Sequence, residues 1–134
     1  HYTVASHVDL ERVLQKEKLD FVQFNYSIGT RAAEERLLPL AAERKLAVLV
    51  NRPFEDGALF DRVRGQALPG WASEIDCQSW AQFFLKFIIG HPSVTCVIPA
   101  TSKPRHMRDN AAAGHGRMPD RETRERMANY VASL

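Results

Sequence analysis

Apolar residues recur with two spacings in this sequence, one helical and one strand-like, and the two take turns. Ser6 with Asp9 three residues on resembles a capping box, and Leu10, Val13 and Leu14 then share one face of a helix reaching about Lys16. Leu19–Ser27 (LDFVQFNYS) reads as a strand, apolar at its start and polar at its end. Thr30 can cap a second helix running to about Arg44, with Ala33, Leu37, Leu40 and Ala41 facing inward and Pro39 bending or splitting it. Leu46–Arg52 (LAVLVNR) is a nearly continuous apolar run, as expected of a strand buried on both faces, and Pro53 ends it. A long connection over 54–75 follows, punctuated by Gly57, Gly65, Pro69 and Gly70, with one or two helical turns at Ala58–Arg64. Loops of that length inside compact domains tend to be lids or binding loops.

From about Cys77 to Ile89, the residues Trp80, Phe83, Phe84, Phe87 and Ile88 recur at helical spacing and predict a core-facing stripe, closed by Gly90 and Pro92. Val94, Cys96, Val97 and Ile98 form a short apolar strand that runs into Thr101 and Ser102. Pro104 suits the first position of a further helix and Gly114 supplies its stop. Asp120 caps a last helix whose weak apolar side is Met127, Tyr130 and Val131. Strands alternating with helices imply a parallel sheet with right-handed crossovers.

Composition adds bounds. The 134 residues, 45% hydrophobic and 25% charged, suit one domain, and the net charge of +2 is too small to argue for nucleic acid or a membrane surface. The longest apolar stretch, near Phe83–Ile89, is interrupted by Lys86 and falls well short of the ~18–20 residues that cross a bilayer. Cys77 and Cys96 do not resemble a disulfide framework; reduced thiols are expected, which favours a cytoplasmic setting. CxxC, HExxH, GxGxxG and Walker spacings are absent, so no metal site is expected. The chain begins His1-Tyr2; a processed start or a fragment would begin this way.

Ligands of parallel α/β folds gather at the C-terminal ends of the strands. All three predicted strands turn polar there, with Gln23, Asn25, Tyr26 and Ser27 on the first, Asn51 and Arg52 on the second, and Thr101 and Ser102 on the third. The expectation is a shared polar floor. Lys103, Arg105, His106 and Arg108 crowd the start of the helix that follows, where they oppose its positive end and repel one another. An anion bound by the free backbone N–H groups reverses the sign, and phosphate fits. The plain alternative is a row of solvated cations on an outer face.

DFVQFNYS, AVLVNRPFEDG, LKFIIGHPSVTCVIPATSKPRHMRDN and the GRMPD that follows resemble the C-terminal half of an aldo-keto reductase over nearly the whole chain. The resemblance implies the C-terminal half of a (β/α)8 TIM barrel, from the end of strand five to strand eight plus a C-terminal helix, as a single partial domain over residues 1–134. It implies part of an enzyme reducing aldehydes or ketones with a nicotinamide cofactor, NADPH in the first place with NADH left open. It sets His1 and Gln23 near the nicotinamide amide. Asn51, Arg52, Pro53 and Phe54 begin the loop over the cofactor's middle, with Gly57 closer to the pyrophosphate. Thr101 and Ser102 approach the adenosine phosphate, and His106, Asp109 and Asn110 lie by the adenine. Lys103, with Arg105 or Arg108, stands in for cations that many relatives carry where this chain has Ala100 and His106; many also have tyrosine at Asn51. The catalytic tetrad of the family comes from the first four strands, so no catalytic residue is expected in this chain, and the chain alone is expected to be inactive. Tyr26 is expected to form a hydrogen-bonded wall of the pocket, and Asp20 and Asp56 to be surface and loop carboxylates. Half a barrel leaves open strand edges and an apolar inner face, to be covered by the missing half or another copy. A non-catalytic nucleotide-binding or interaction module on the same scaffold is the alternative function.

Overall fold

The computed structural model describes residues 4–134. Helix α1 (Val4–Lys16) leads into strand β1 (Phe21–Asn25), helix α2 (Leu37–Glu43) and strand β2 (Ala47–Asn51). Helices α3 (Ala58–Arg62) and α4 (Trp80–Ile89) precede strand β3 (Cys96–Val97), and α5 (Pro104–Ala112) and α6 (Arg121–Ala132) complete the chain. The strands form one parallel sheet in the order β1-β2-β3, with Asn25 beside Asn51 and Leu49 beside Cys96. All the strand C-termini therefore lie along one edge.

Alternation along each strand sorts the residues to two faces. Val22, Phe24, Val48 and Val50 are buried, packed with Phe83, Phe84, Phe87 and Ile88 of α4, Leu37, Leu38 and Ala41 of α2, and Met127 and Val131 of α6. The opposite row is open: Phe21 is 60% exposed, Gln23 and Cys96 are exposed, and Leu49 is only partly covered. The expectation that the second strand is buried on both faces is thus corrected. The helices of the core pack on one side of the sheet, and the other side is left open.

Several boundaries differ from the sequence pattern for local reasons. Helix α1 already runs from Val4, so Ser6 lies in its first turn instead of preceding it, and Val13 is 44% exposed while Leu14 is buried. Thr30 caps no helix; a single 3-10 turn at Ala32–Glu34 comes first and α2 begins only at Leu37. The break falls at Arg36, at φ −137°, while Glu35 before it keeps helical angles. Pro39 lies in the first turn of α2, where its missing N–H costs nothing. Helix α4 starts at Trp80, three residues later than expected, where Ser79 Oγ accepts from Gln82 N–H at 3.1 Å. Helices α5, with Pro104 first, and α6, with Asp120 accepting from Thr123 N–H at 2.8 Å, follow the sequence reading. Strand β3 is short, yet Thr95 N–H and Ile98 N–H still donate to Val48 O and Val50 O at 2.9 and 2.8 Å. Among the described residues no helix is long and apolar enough to cross a membrane.

Candidate functional site

Strand β2 gives way to α3 through a six-residue loop with an uncommon backbone. Arg52, Glu55 and Asp56 sit at φ 50°, 52° and 57°, and Gly57 at 103°. Left-handed backbone costs a residue with a Cβ roughly 1–2 kcal/mol, so this loop needs holding. Arg52 grips Asp56 through Nε at 3.1 Å and Nη2 at 2.5 Å, and Glu55 and Gly57 N–H donate to Arg52 O and Phe54 O at 3.1 and 2.9 Å. A Cβ placed on Gly57 meets nothing within 4 Å, so this glycine faces open space.

That space is a cavity of about 840 Å³ between the loop, the end of β3 and the starts of α4 and α5. Its size is that of a small-molecule or cofactor site. One wall is aromatic: Phe54 and Phe60 have ring centres 4.9 Å apart, Phe60 and Phe84 5.7 Å, and Trp80 stacks on Phe84 at 5.6 Å. The other wall is α5, fixed to α4 by Asp109, whose two carboxylate oxygens accept from Ser79 Oγ at 2.8 Å and Gln82 Nε2 at 2.6 Å. At the floor, Asn51 Oδ1 is shielded from solvent yet has no hydrogen-bond partner among the described residues. An orphaned buried acceptor of this kind calls for a donor from outside the described residues.

Of the residues marked out by the sequence, Asn51, Arg52, Pro53, Phe54, Gly57, Thr101, His106, Asp109 and Asn110 all line this one cavity. Gln23 does not: it stands exposed on the open face of the sheet, so the ends of β2 and β3, and not of β1, shape the cavity. Ser102 and Lys103 lie outside the lining, exposed, with Lys103 N–H donating to Thr101 Oγ1 at 3.2 Å. His1 falls outside the described residues. Lys103, Arg105 and Arg108 are exposed and make no ion pair among the described residues.

Tyr26 is not a pocket wall. It is fully buried on the helix side, its hydroxyl between Glu34 and Arg124, and burial first and the Glu34 hydrogen bond second push the phenol well above its ordinary range. Asp56, expected as a plain loop carboxylate, lines the cavity, and so does Trp80, expected in the core.

The sequence reading also missed two buried cations. Arg124 is 6% exposed; it donates to Phe87 O at 2.8 Å and Glu34 Oε1 at 2.9 Å, with its guanidinium carbon 4.6 Å from the Phe87 ring centre. Lys86 is fully buried and donates to His115 O at 2.6 Å and Arg117 O at 2.9 Å, tying α4 to the segment after α5. Its place inside an aromatic stripe was the available signal, since a lysine in such a run needs acceptors.

The Aldo/keto reductase family profile matches residues 3–127. An NADH-specific methylglyoxal reductase of Escherichia coli (strain K12) is 38% identical over 71 residues, which is 51% of this chain and 22% of that protein. Among solved structures, an aldo-keto reductase of Bacillus halodurans in its holo form superposes with a TM-score of 0.69 at 19% identity, covering 92% of this chain and 46% of that one. An aldo-keto reductase from Klebsiella pneumoniae in complex with NADPH gives 0.66 at 22% identity, covering 90% and 44%. The chain spans less than half the length of these relatives, and its parallel strands and outer helices match part of their barrel.

Proposed function

Because this chain belongs to the aldo/keto reductase family, we propose that it forms the nucleotide-holding part of an NAD(P)H-dependent oxidoreductase that reduces small aldehydes or ketones to alcohols. The observation that carries the reading is the cavity at the strand ends, with the unpartnered Asn51 Oδ1 at its floor. The residues present fit such a cofactor. Asn51 offers an acceptor to an amide or hydroxyl donor, Gly57 leaves room for close approach to the loop, and Phe54, Phe60 and Trp80 exclude water from one side. When bound, a reduced nicotinamide supplies the hydride; the protein's task is to orient it and keep the cavity dry. The residues that protonate the carbonyl oxygen come, on this reading, from outside the present chain, and residues 1–134 alone bind nucleotide without turnover. The two free cysteines suit a cytoplasmic setting.

Two relatives name different nucleotides, NADH for the Escherichia coli protein and NADPH for that of Klebsiella pneumoniae. Lys103 and Arg105, which make no ion pair among the described residues, stand beside the lining residues Thr101 and His106, and Arg105 Nη2 lies 3.5 Å from His106 Nε2. They are the groups available to a 2′-phosphate, and favour NADPH. The test uses the fluorescence of Trp80, which lines the cavity, in a Trp71→Phe background, since Trp71 packs on Tyr130 with ring centres 5.9 Å apart. Saturable quenching by NADPH or NADH that weakens in Asn51→Leu is expected; a flat titration with both nucleotides overturns the proposal.

A further inference from the structure

Two loops meet beside the cavity. The turn after β1 closes on itself: Ser27 N–H donates to Thr30 O at 3.2 Å, and Thr30 N–H donates to Ser27 O at 3.3 Å and Ser27 Oγ at 2.9 Å. The Glu55 carboxylate is seated on this turn, with its Oε1 accepting from Ser27 Oγ at 2.5 Å and Thr30 Oγ1 at 2.9 Å. Gly29 completes the seat. A Cβ there would stand 2.6 Å from Glu55 Oε1 and 3.2 Å from Oε2, so the absence of a side chain makes the room.

Glu55 is also in the middle of the left-handed stretch, at φ 52°. The loop's other charged pair, Arg52 with Asp56, is internal to it and exposed, and no side chain caps α3. Exposed pairs contribute little. Among the described residues, Glu55 is therefore the charged group that anchors the loop to a different part of the fold.

We infer that Glu55 is a positioning residue: seated against Gly29 between the Ser27 and Thr30 hydroxyls, it holds the Arg52–Gly57 loop in the turn that shapes the nucleotide cavity. Its consequence for affinity rests on the nucleotide reading above; its geometry does not. The strand end that contributes nothing to the cavity lining thus acts on it through the neighbouring loop.

Gly29→Ala is the sharp perturbation, because the clash falls on the far end of a flexible side chain and Glu55 can swing away while the backbone stays. Hydrogen exchange of the full protein without nucleotide is expected to quicken about tenfold over residues 52–59 in Gly29→Ala and Glu55→Ala, with α4 unchanged. Glu55→Gln keeps an oxygen acceptor for both hydroxyls and is expected to stay protected. NADPH and NADH affinities, read by Trp80 fluorescence, fall together by about tenfold in the first two variants and recover in the third. The double variant Gly29→Ala/Glu55→Ala binds no more weakly than Glu55→Ala alone, since both break one contact. Unchanged exchange over 52–59, or quickening that spreads equally through α4, overturns the inference. If the parent binds neither nucleotide, the nucleotide reading falls, and the exchange pattern still decides the role of Glu55.

Discussion

Arg124→Leu keeps most of the volume of a side chain that is 6% exposed and removes its guanidinium. Three groups lose a donor: Phe87 O, Glu34 and the Tyr26 hydroxyl. Glu34 keeps Arg31, which holds it through Nε at 3.0 Å and Nη2 at 2.6 Å, and Tyr26 still donates to Glu34. The orphaned Phe87 carbonyl costs about 1–3 kcal/mol, and the lost charge-assisted bond to Glu34 adds a comparable amount, about 1.5–3 kcal/mol. Leucine packed on the Phe87 ring recovers part of this, leaving a net loss of about 3 kcal/mol, the low end for one partner of a buried pair. In urea, with a slope of about 1.5–2 kcal/mol per molar for a chain of this size, the midpoint drops by about 1.5–2 M. Nucleotide affinity of the folded protein stays put, because Arg124 lies on the helix side and not in the cavity. A midpoint within about 0.5 M of the parent contradicts the assignment of Arg124 as the tie between α6 and the end of β1.

Other outcomes follow from the same contacts. For Glu34, burial raises the carboxyl pKa, but the hydrogen bonds of Arg31 and Tyr26 outweigh it and the net direction is down; Asp120 is lowered by Thr123 N–H and Asp76 by Arg117. Folded values below unfolded ones give stability that is present above about pH 4.5 and lost as pH falls through the folded values, so urea midpoints are expected to be flat near neutrality and to fall below about pH 4. Glu34→Gln should soften that fall; an identical acid profile counts against it. Burial pushes the Cys77 thiol up to about 11. A disulfide reagent at about pH 8 should leave it unmodified until denaturant is added, as mass spectrometry of the digested protein will read. Lys103→Ala with Arg105→Ala should weaken NADPH about tenfold or more and leave NADH unchanged, and equal affinities in parent and variant remove these cations from the 2′-phosphate.

What the sequence disclosed was set by short-range chemistry. Pro104, Asp120 and the polar ends of the second and third strands act within a turn or two of themselves, and α5, α6 and the cavity lining stand where those residues place them. Family resemblance brought in the rest of the lining, since nothing local in His106 or Asp109 says that they face Asn51. Alternation gives Gln23 its face of the sheet without saying whether anything lies over that face, and it stands outside the cavity lining. Trp80 was assigned to the core because a helical stripe does not show where the core ends and a cavity begins. The partners of Arg124 and Lys86, Glu34 and the carbonyls of His115 and Arg117, are about thirty to ninety residues away in the chain, so even the signal of a lysine inside an apolar stripe could not name them. The left-handed run from Arg52 to Gly57 was hidden for another reason. Only Gly57 advertises such a backbone; the rest is accompanied by the Arg52–Asp56 pair inside the loop and by contacts of Glu55 with Ser27 and Thr30, far away in the chain.

The two-sidedness of β2 has a consequence for how this chain tolerates change. Val48 and Val50 face the helices while Leu49 and Asn51 look the other way, so neighbours in sequence answer to different demands. Damage at the even-numbered pair is expected to show as lost protein, whereas damage at Asn51 is expected to leave the protein intact and alter the cavity. Within one short strand, the demands of the core and of the cavity fall on alternate residues.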